Sequence, residues 1–558
     1  MEQLVARRAH NPEVVGSSPA SATIKSRLNS GFFIDIKEFA IIHIWDVEYN
    51  IKFMENQDDI VKALQLLKRF NENPDLISLL TEEQRIEFML ACGQIARPDK
   101  HVRKQINKSI RKIEKDKLKD EDRNKRAETG IRKARTISVF TAPKSIESEE
   151  IKESSTLHSY RNCYICNAEY KTLHHFYDAL CQNCGDLNYT KRFQTCDLTG
   201  QYALITGSRV KIGYQATLIM LRAGAHVIAT TRFPVDSAIR FASELDYSDW
   251  KDRLDIYGLD LRHLPSVELF AKYIETRYPR LDLLLNNAAQ TVRRPSGFYA
   301  HLIEKEISDL QSQSAEVIHL LRSHELLKLH LSGDQEWLNK NFGSLPVKWN
   351  SVETGIGITN SAALSQRPYT FDIETNSQDY FPEGQLDADL QQVDLRTTNS
   401  WRLYLGDIES TEMIEVHLVN LMAPFILNNR LVHLMKKQNT GCKHIINVTA
   451  MEGKFYRFSK SARHPHTNMA KAALNMMTHT SASELAKFGI YMNAVDTGWV
   501  TDEDPYFLAM QKEKIHDFQP PLDIVDGAAR ICDPFIDGIN SGKHWNGQFL
   551  KDYFPIDW

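Results

Sequence analysis

The sequence has no long uninterrupted apolar run and no strong excess of one charge. None of its hydrophobic stretches reaches the roughly eighteen residues that a membrane-spanning helix needs, so no membrane span is predicted. The 558 residues carry 68 Lys and Arg against 72 Asp and Glu, a formal net charge of −4. This balance excludes a polyelectrolyte that binds nucleic acid by charge along its whole length. The length and ordinary composition predict two or three globular domains.

The sequence also lacks a disulfide framework. Four of its eight cysteines stand alone, and the other four form two Cys-x-x-Cys pairs. This usage indicates a reduced, cytoplasmic protein. The pairs are separated by fourteen residues, a spacing typical of a four-cysteine zinc site, and the predicted ligands are Cys163, Cys166, Cys181 and Cys184. Because four thiolates close the coordination shell, we expect a structural Zn²⁺; a redox role for either pair is the alternative.

The segments before the cysteine pairs differ in composition. Residues 9–23 resemble the in-frame translation of the end of a bacterial tRNA gene. We therefore expect residues 1–53 to be a non-native leader and Met54 to be the native start. Apolar residues at helical spacing from 58 to 96 predict a small helical module, whose second helix begins with a capping box at Thr81.

Residues 99–135 carry fifteen Lys or Arg against seven Asp or Glu. They predict a charged helix that completes a helical module at 54–137. A solvated helix with ion pairs and a basic helix that binds nucleic acid both remain open, although the segment has no aromatic residues for base stacking. Residues 138–158 are typical of a linker, and 159–190 form the predicted zinc-binding module.

A strand-turn-helix-strand unit follows the cysteine pairs. An apolar strand at 202–205 leads into a glycine-bearing turn at 206–213, and a helical pattern and a second strand at 226–229 come next. Such a turn brings backbone N–H groups and a helix N-terminus to a diphosphate. Lys211 stands where a middle glycine is expected.

The end of the second strand lacks the acidic residue that usually binds the ribose hydroxyls of NAD(H). Arg232 follows that strand instead, and Arg209 and Lys211 lie in the preceding turn. Three cations near one ribose favour its 2′-phosphate. The sequence therefore predicts NADP(H) rather than NAD(H).

Landmarks along the rest of the chain resemble the short-chain dehydrogenase/reductase family. They are Thr206-Gly207 and Gly213 in the turn, Asp260 after the third strand, Asn286-Asn287-Ala288-Ala289 after the fourth, Asn420, residues 445–449 on the fifth strand, Lys471, and 493–500 on the sixth. The resemblance covers about 198–300 and 411–558. It implies an α/β fold with a Rossmann-type doubly wound parallel sheet, in a domain spanning 198–558.

The resemblance implies hydride transfer between NAD(P)(H) and a small-molecule carbonyl or alcohol. In that family Asp260 would contact the adenine, Asn287 the strand that carries the cofactor, and Lys471 the nicotinamide ribose. Together with the cations above, the predicted cofactor-binding residues are Thr206, Gly207, Arg209, Lys211, Ile212, Gly213, Arg232, Asp260, Leu261, Asn287, Ala288 and Lys471.

The family's proton donor and its partner are replaced in this sequence. Asn420 and Lys471 match the catalytic pattern, but Thr467 stands where a Tyr is expected and Ala450 where a Ser is expected. A Thr hydroxyl is a poor proton donor. Three replacements are candidates: Thr449 to orient a substrate oxygen, Tyr456 to swing over the nicotinamide, and His466, the preferred acid, beside the vacated position. The alternative is that these residues only shape the loop.

Residues 301–410 form a predicted insertion that would emerge beside the substrate cleft as a lid, a partner surface or a disordered loop. The preferred function is an NADP(H)-dependent oxidoreductase with an unconventional proton donor. Two alternatives are a catalytically inactive nucleotide-binding regulatory module and a nucleic-acid-associated protein that acts through the basic helix. The sequence does not indicate the substrate, and a homo-oligomer remains open.

Overall fold

The structure, a computed structural model, describes residues 58–143, 155–333, 355–369, 378–457 and 460–558. The predicted leader 1–53 lies outside these residues, as do parts of the predicted linker and insertion. No helix in the described ranges is long and apolar enough to cross a membrane. The chain divides into two compact units, Met1–Arg111 and Lys112–Trp558.

Helices and strands are numbered in chain order. The helices are α1 (58–72), α2 (Glu82–Ala96), α3 (Lys100–Ala127), α4 (Gly130–Arg135), α5 (Gln182–Arg192), α6 (Lys211–Arg222), α7 (Pro234–Ala242), α8 (Tyr247–Trp250), α9 (Leu264–Arg277), α10 (Ala300–Ile307), α11 (Ala315–Gly333), α12 (Ile356–Thr359), α13 (Ser361–Leu364), α14 (Ser410–His417), α15 (Ala423–Lys436), α16 (Pro465–Ala486), α17 (Tyr506–His516) and α18 (Ile524–Ser541). The strands are β1 (Thr156–Asn162), β2 (Glu169–Thr172), β3 (Tyr202–Thr206), β4 (His226–Thr231), β5 (Leu254–Gly258), β6 (Leu283–Asn286), β7 (Lys443–Thr449), β8 (Ile490–Asp496), β9 (Phe549–Lys551) and β10 (Phe554–Ile556).

The first unit contains helices α1 and α2 and the beginning of α3. The predicted capping box is confirmed: the Thr81 hydroxyl accepts from the backbone N–H of Gln84 at 3.3 Å, and the Gln84 side chain accepts from the backbone N–H of Thr81 at 3.2 Å. Phe70 and Phe88 pack with their ring centroids 5.1 Å apart. No described residue of this unit is buried.

The carboxyl-terminal part of the basic segment belongs to the second unit, where its cations have internal partners. Arg126 pairs with Asp517 at 2.6 Å, and Arg132 pairs with Asp178 at 2.6 Å. Arg135 donates to the backbone carbonyl of Leu522 at 2.8 Å. These contacts favour the ion-paired interpretation of this end of the basic segment over a surface for nucleic acid.

The cysteine-bearing module is an antiparallel hairpin, β1 and β2, followed by α5. Strand β1 begins at Thr156, inside the predicted linker. The apolar side chains of the module, including Leu157, Phe176 and Leu180, form one buried cluster with Val500 and Leu522 of the following domain. The module therefore shares a hydrophobic core with that domain.

The domain that follows the cysteine-bearing module contains an eight-stranded sheet of order β10-β9-β8-β7-β6-β3-β4-β5. All neighbouring strands are parallel except β9 and β10, which form an antiparallel pair. Strands β5, β6 and β7 are buried along their whole lengths, as expected for parallel strands covered on both faces. The predicted fold class is confirmed, and the sequence also predicted six of these strands; β9 and β10 were not predicted.

Helices cover both faces of the sheet, and one of them comes from the predicted insertion. Helix α11 packs along the edge strand β5. Its Leu320 joins the core on one face and its Leu327 the core on the other. This helix is thus part of the domain's core, where it covers an edge strand that would otherwise be open.

The later described parts of the insertion lie at the carboxyl ends of β4 and β5. The Asp260 N–H donates to the Gly357 carbonyl at 2.7 Å, and the Ser361 hydroxyl donates to the Arg232 carbonyl at 2.9 Å. Trp401 stacks on His464 with ring centroids 3.9 Å apart. The described parts of the insertion therefore form one wall of the cleft described next.

Candidate functional site

A cleft of about 1000 Å³ opens at the carboxyl edge of the parallel strands. The strand order reverses between β3 and β6, and open α/β sheets bind ligands at such a point. One half of the cleft lies over β3, β4 and β5, and the other over β6, β7 and β8.

The turn after β3 is held closed by close backbone contacts. A Cβ atom on Gly213 would lie 2.1 Å from the Gly207 carbonyl oxygen, and one on Gly207, at φ +68°, would lie 2.9 Å from Ala288 Cα. Asn287 Nδ2 donates to the carbonyl oxygen of Thr206 at 3.0 Å. No side chain fits at either glycine, so the turn keeps its backbone at the floor of the cleft.

The N-terminus of α6 lies in this turn and is open to the cleft. The first N–H groups of a helix have no intrahelical acceptor, and Val210, the residue that precedes the helix, makes no side-chain cap. Residues 210–213 line the cleft. Unsatisfied donors at the positive end of a helix dipole fit an anionic group such as a diphosphate.

Lys211 adopts φ +54°, a left-handed conformation that favours glycine. This is the position at which the sequence lacks the expected middle glycine. Its ammonium makes no hydrogen bond or ion pair with a described residue, and it lines the cleft beside the free helix N-terminus.

Arg232 lies at the end of β4, where the cleft is rich in guanidinium groups. It donates to the hydroxyl of Tyr299 at 2.8 Å and stacks on that ring at 4.7 Å. Burial tends to raise the pKa of Tyr299, but the guanidinium groups of Arg232, Arg294 and Arg209 together lower it below its usual value. The lowered pKa of Tyr299 thus indicates a positive electrostatic potential in this part of the cleft.

The carboxylates that pair with Arg209 and Arg294 are each shared between two cations. Arg209 and Arg240 both donate to one oxygen of Asp236 at 2.8 Å. In the same way, Arg294 and Arg396 both pair with Asp394. Each of these carboxylates therefore pairs with two guanidinium groups, and the carboxyl groups of Glu306 and Glu412 also interact with Arg209 and Arg396.

Asp260, the predicted adenine contact, already has a strong internal partner. Arg262 donates to its carboxylate at 2.6 Å and bridges to Glu415 at 3.0 Å. Burial opposes ionisation of Asp260, but the hydrogen bonds from Arg262 keep its pKa below the usual value. Asp260, Leu261 and Ala288 all line the cleft.

The other half of the cleft contains two groups with strongly shifted pKa values. Lys471 donates to the Val448 carbonyl at 2.8 Å; burial lowers its pKa to about 8, and the carboxylates of Glu452 and Asp496 oppose that shift. Burial raises the pKa of Asp496 to about 6. Two side chains here can thus exchange protons near neutral pH.

Two threonines lie beside these groups. Thr449 ends β7 opposite Asp496 of β8, and Thr467 lies one helical turn before Lys471 on α16. Both hydroxyls are buried, line the cleft and have no hydrogen-bond partner among the described residues. A hydroxyl in this position can donate to a ligand oxygen. Ala450, at the position where the family has Ser, also lines the cleft.

Asn420 lies on a π-helical segment, Leu418–Met422, at the start of α15. Its side chain accepts from the Gln290 N–H at 2.7 Å and donates to the Gln290 carbonyl at 3.0 Å. Asn420 therefore joins this helix to the loop after β6, which lines the cleft.

Three of the six predicted catalytic residues, Asn420, His466 and Tyr456, are not among the residues that line the cleft. His466 is buried but is not among the cleft-lining residues, and burial lowers its pKa to about 4. The assignment of His466 as the proton donor therefore stays a prediction. Tyr456 is 87% exposed and also lies outside the cleft lining.

The four predicted ligands come together in the cysteine-bearing module. The sulfur atoms of Cys163, Cys166, Cys181 and Cys184 all lie within 4.8 Å of one another. A tetrahedral Zn²⁺ with Zn–S bonds of about 2.3 Å places its sulfur atoms about 3.8 Å apart, and the Cys166–Cys181 sulfur distance is 3.6 Å. The donor set therefore fits this ion.

The sequence analysis did not single out several residues that line the cleft, among them Asp496 and Tyr164. Asp496 lies in the motif at 493–500 and ends the sixth predicted strand. Its position at the carboxyl end of a parallel strand could have identified it as a cleft residue. Tyr164, between Cys163 and Cys166, also lines the cleft. No sequence signal places it there, because its position depends on how the two domains pack.

Comparison with known proteins agrees with the arrangement of the cleft. Residues 201–312 and 384–504 match the family model for short chain dehydrogenases. The chain is 28% identical over 407 residues to an uncharacterized protein, R665, of Acanthamoeba polyphaga mimivirus, a match that covers 69% of this chain and 74% of the viral protein.

One further similar protein is named as a dehydrogenase, and one similar solved structure is a complex with NADP. The 2-dehydro-3-deoxy-D-gluconate 5-dehydrogenase of Formosa agariphila is 22% identical over 172 residues, which cover 30% of this chain and 63% of that enzyme. The NADP complex of RhlG from Pseudomonas aeruginosa superposes with a TM-score of 0.35 at 15% identity, over 63% of this chain and 95% of that one.

The turn after β3, the strand order and the family match agree with one another. The matched segments flank residues 313–383, which lie within the predicted insertion. Residues 201–312 and 384–504 thus match the short chain dehydrogenase family model on a fold and a cofactor-type turn that agree with it.

Proposed function

We propose that the chain is an NADP(H)-dependent oxidoreductase that interconverts a carbonyl and an alcohol on a small-molecule substrate. The observation that carries this proposal is a single cleft with an uncapped helix N-terminus at its centre, a cationic half and a half with titratable groups. The cofactor, when bound, supplies or accepts the hydride. The dehydrogenase relative in Formosa agariphila supports the reaction class.

The cationic half supports the preference for the 2′-phosphate. Arg232 lies at the end of β4, donates to the Tyr299 hydroxyl and interacts electrostatically with Asp260, whose carboxylate is already hydrogen-bonded by Arg262. Asp236 and Asp394 are each shared by two other arginines. A dianionic phosphate would interact favourably with these guanidinium groups. The turn at 206–213 would hold the diphosphate, and Lys211 would add a cation beside it.

The titratable half supports a proton donor other than tyrosine. Lys471 carries a proton at neutral pH and, with its pKa lowered to about 8 by burial, releases it more readily than an exposed lysine. The unpartnered hydroxyls of Thr449 and Thr467 would orient the substrate oxygen. In this assignment Lys471 donates its proton to that oxygen during carbonyl reduction and recovers it from solvent.

A titration of Arg232→Asp with both cofactors tests the proposal. The parent protein should bind NADPH at least about ten-fold more tightly than NADH, because a charge-assisted hydrogen bond contributes about 1.5–3 kcal/mol. Arg232→Asp should reverse the preference. Arg322→Asp, at an exposed position of α11, is the matched control and should not change it.

Equal affinities of the parent protein for NADPH and NADH would reject the 2′-phosphate assignment. NADPH binding without any NADPH oxidation across a panel of aldehydes and ketones would instead favour the nucleotide-binding regulatory module.

A further inference from the structure

Tyr164 connects the cysteine-bearing module to the cleft. It lies between Cys163 and Cys166, two members of the four-thiol cluster, and its side chain lines the cleft. Its hydroxyl accepts a hydrogen bond from the backbone N–H of Trp499 at 2.9 Å. The residue is thus attached at one end to the thiol cluster and at the other to the loop after β8.

The loop that receives this hydrogen bond forms part of the titratable half of the cleft. Gly498 adopts φ +76°, and its N–H donates to Asp496 at 3.1 Å. A Cβ atom on Gly498 would lie 2.5 Å from Leu522 and 3.7 Å from the Tyr164 hydroxyl. The loop is therefore closely packed against Tyr164 on one side and the α18 region on the other.

The packing around Tyr164 extends from the loop to the cofactor turn. Val500, Leu522 and Val525 belong to the same buried cluster as the module's Phe176, and Ile212 of the turn packs against that cluster. A displacement of the module would therefore disturb both the loop and the turn.

Polar contacts fix the module in the same place. The Tyr177 hydroxyl donates to Asp526 at 2.5 Å, and Arg192 pairs with Asp523 and Asp526 at 2.6 and 3.0 Å. All four residues are buried. These contacts lie on α5 and its preceding loop. The Cys163–Cys166 knuckle is held separately, by the thiol cluster and by backbone hydrogen bonds such as that from the Tyr164 N–H to the Ala179 carbonyl at 3.0 Å.

From these contacts we propose that the metal-loaded cysteine module is a working part of the cofactor site. Tyr164 is a positioning residue that holds the loop at 497–500 against the nicotinamide half of the cofactor, and loading of the four thiols with Zn²⁺ sets cofactor affinity through it. The proposal rests on the proposed NADP(H) binding and adds a regulatory input to that site.

If the module only stabilised the fold, its loss would change ligand affinities in a different way. Loss of general stability weakens every ligand of the cleft. Loss of the Tyr164 contact should weaken only ligands that reach the loop after β8. Adenosine 2′,5′-bisphosphate reaches the cationic half but has no nicotinamide, so it separates the two effects.

The test is a titration of full-length Tyr164→Phe with NADPH and with adenosine 2′,5′-bisphosphate. The variant keeps the aromatic ring and removes the acceptor for the Trp499 N–H. NADPH binding should weaken about three- to ten-fold, as expected for one lost hydrogen bond, and bisphosphate binding should stay the same. Tyr160→Phe is the matched control, because Tyr160 is 66% exposed on β1; it should change neither affinity.

Removal of Zn²⁺ from the parent protein by a chelator is the second arm. It should weaken NADPH binding more than bisphosphate binding, re-addition of Zn²⁺ should restore it, and Tyr164→Phe should respond less. Unchanged NADPH affinity in Tyr164→Phe, or equal losses for both ligands on metal removal, would overturn the inference. A parent protein that binds neither ligand would instead reject the proposed function itself.

Discussion

The position of Lys211 shows how one residue can be unfavourable for the backbone and useful for a ligand. Its φ of +54° is costly for any residue with a Cβ atom. Strain of this kind is about 1–3 kcal/mol and is concentrated at ligand-binding sites. The sequence alone identified the departure from glycine, but it could not show that the backbone keeps the left-handed conformation.

Comparison of Lys211→Gly with Lys211→Ala tests this interpretation. Both variants remove the cation, and only glycine relieves the strain. Lys211→Gly should therefore be about 1 kcal/mol more stable than Lys211→Ala in thermal unfolding, while both bind NADPH more weakly than the parent. Lower stability of the glycine variant would show that the left-handed conformation is not costly here.

The pH dependence of turnover tests the proposed role of Lys471. A general acid must be protonated to donate. With a Lys471 pKa of about 8, the rate of carbonyl reduction should fall as the pH rises through about 8, and alcohol oxidation should rise over the same interval.

Lys471→Met should abolish this dependence together with most of the turnover. Lys487→Met, at the exposed end of the same helix, should retain both. A rate that is flat between about pH 7 and 9 in the parent protein would exclude Lys471 as the donor.

The direction of His466 could have been predicted from helix geometry. Residues four apart lie on the same face of a helix, whereas neighbours point about 100° apart. Because Lys471 faces the cleft, Thr467 does too, and His466 faces away. His466 was predicted because a histidine titrates in the right range, without regard to the helix face on which it lies.

Among the elements, the parallel strands were the most predictable and the insertion the least. Strands such as β3 and β6 are mainly apolar runs next to recognisable polar landmarks. Helix α11 has a helical apolar pattern, but no sequence pattern shows what covers it. Its packing along β5 depends on a contact with residues that lie more than fifty positions earlier in the chain.

Truncation of Leu320 tests whether α11 belongs to the core. Leu320 is fully buried, whereas Leu329, on the same helix, is 68% exposed. Leu320→Ala should lower the free energy of unfolding by about 2–5 kcal/mol, and Leu329→Ala by less than about 0.5 kcal/mol. Equal small effects would indicate that α11 is a peripheral lid.

At the scale of the whole molecule, the cysteine-bearing module and the sheet domain form one structural unit. They share a hydrophobic cluster and a buried set of charges around Arg192. The sequence predicted them as separate domains, because the spacing of cysteines and the landmarks of the sheet are local patterns. The charges that join them come from residues more than three hundred positions apart.

Arg192→Met tests this union. It would leave Asp523 and Asp526 buried without their cation, and removal of one partner from a buried pair costs about 3–5 kcal/mol. Denaturant unfolding should show that loss in one cooperative transition. Arg222→Met is the control: it removes the exposed ion pair between Arg222 and Asp246, and it should lower the free energy of unfolding by less than about 1 kcal/mol. Separate unfolding transitions of the cysteine-bearing module and of the sheet domain, both of which lie in the unit Lys112–Trp558, would contradict a single unit.

The most direct test of the central claim is an experimental structure of the full chain with NADPH. The proposed binding mode places the diphosphate at the N-terminus of α6 and the 2′-phosphate within hydrogen-bond distance of Arg232. It also places the nicotinamide between Lys471 and the loop at 497–500. A cofactor bound elsewhere on the protein, or an empty cleft at saturating NADPH, would contradict the account.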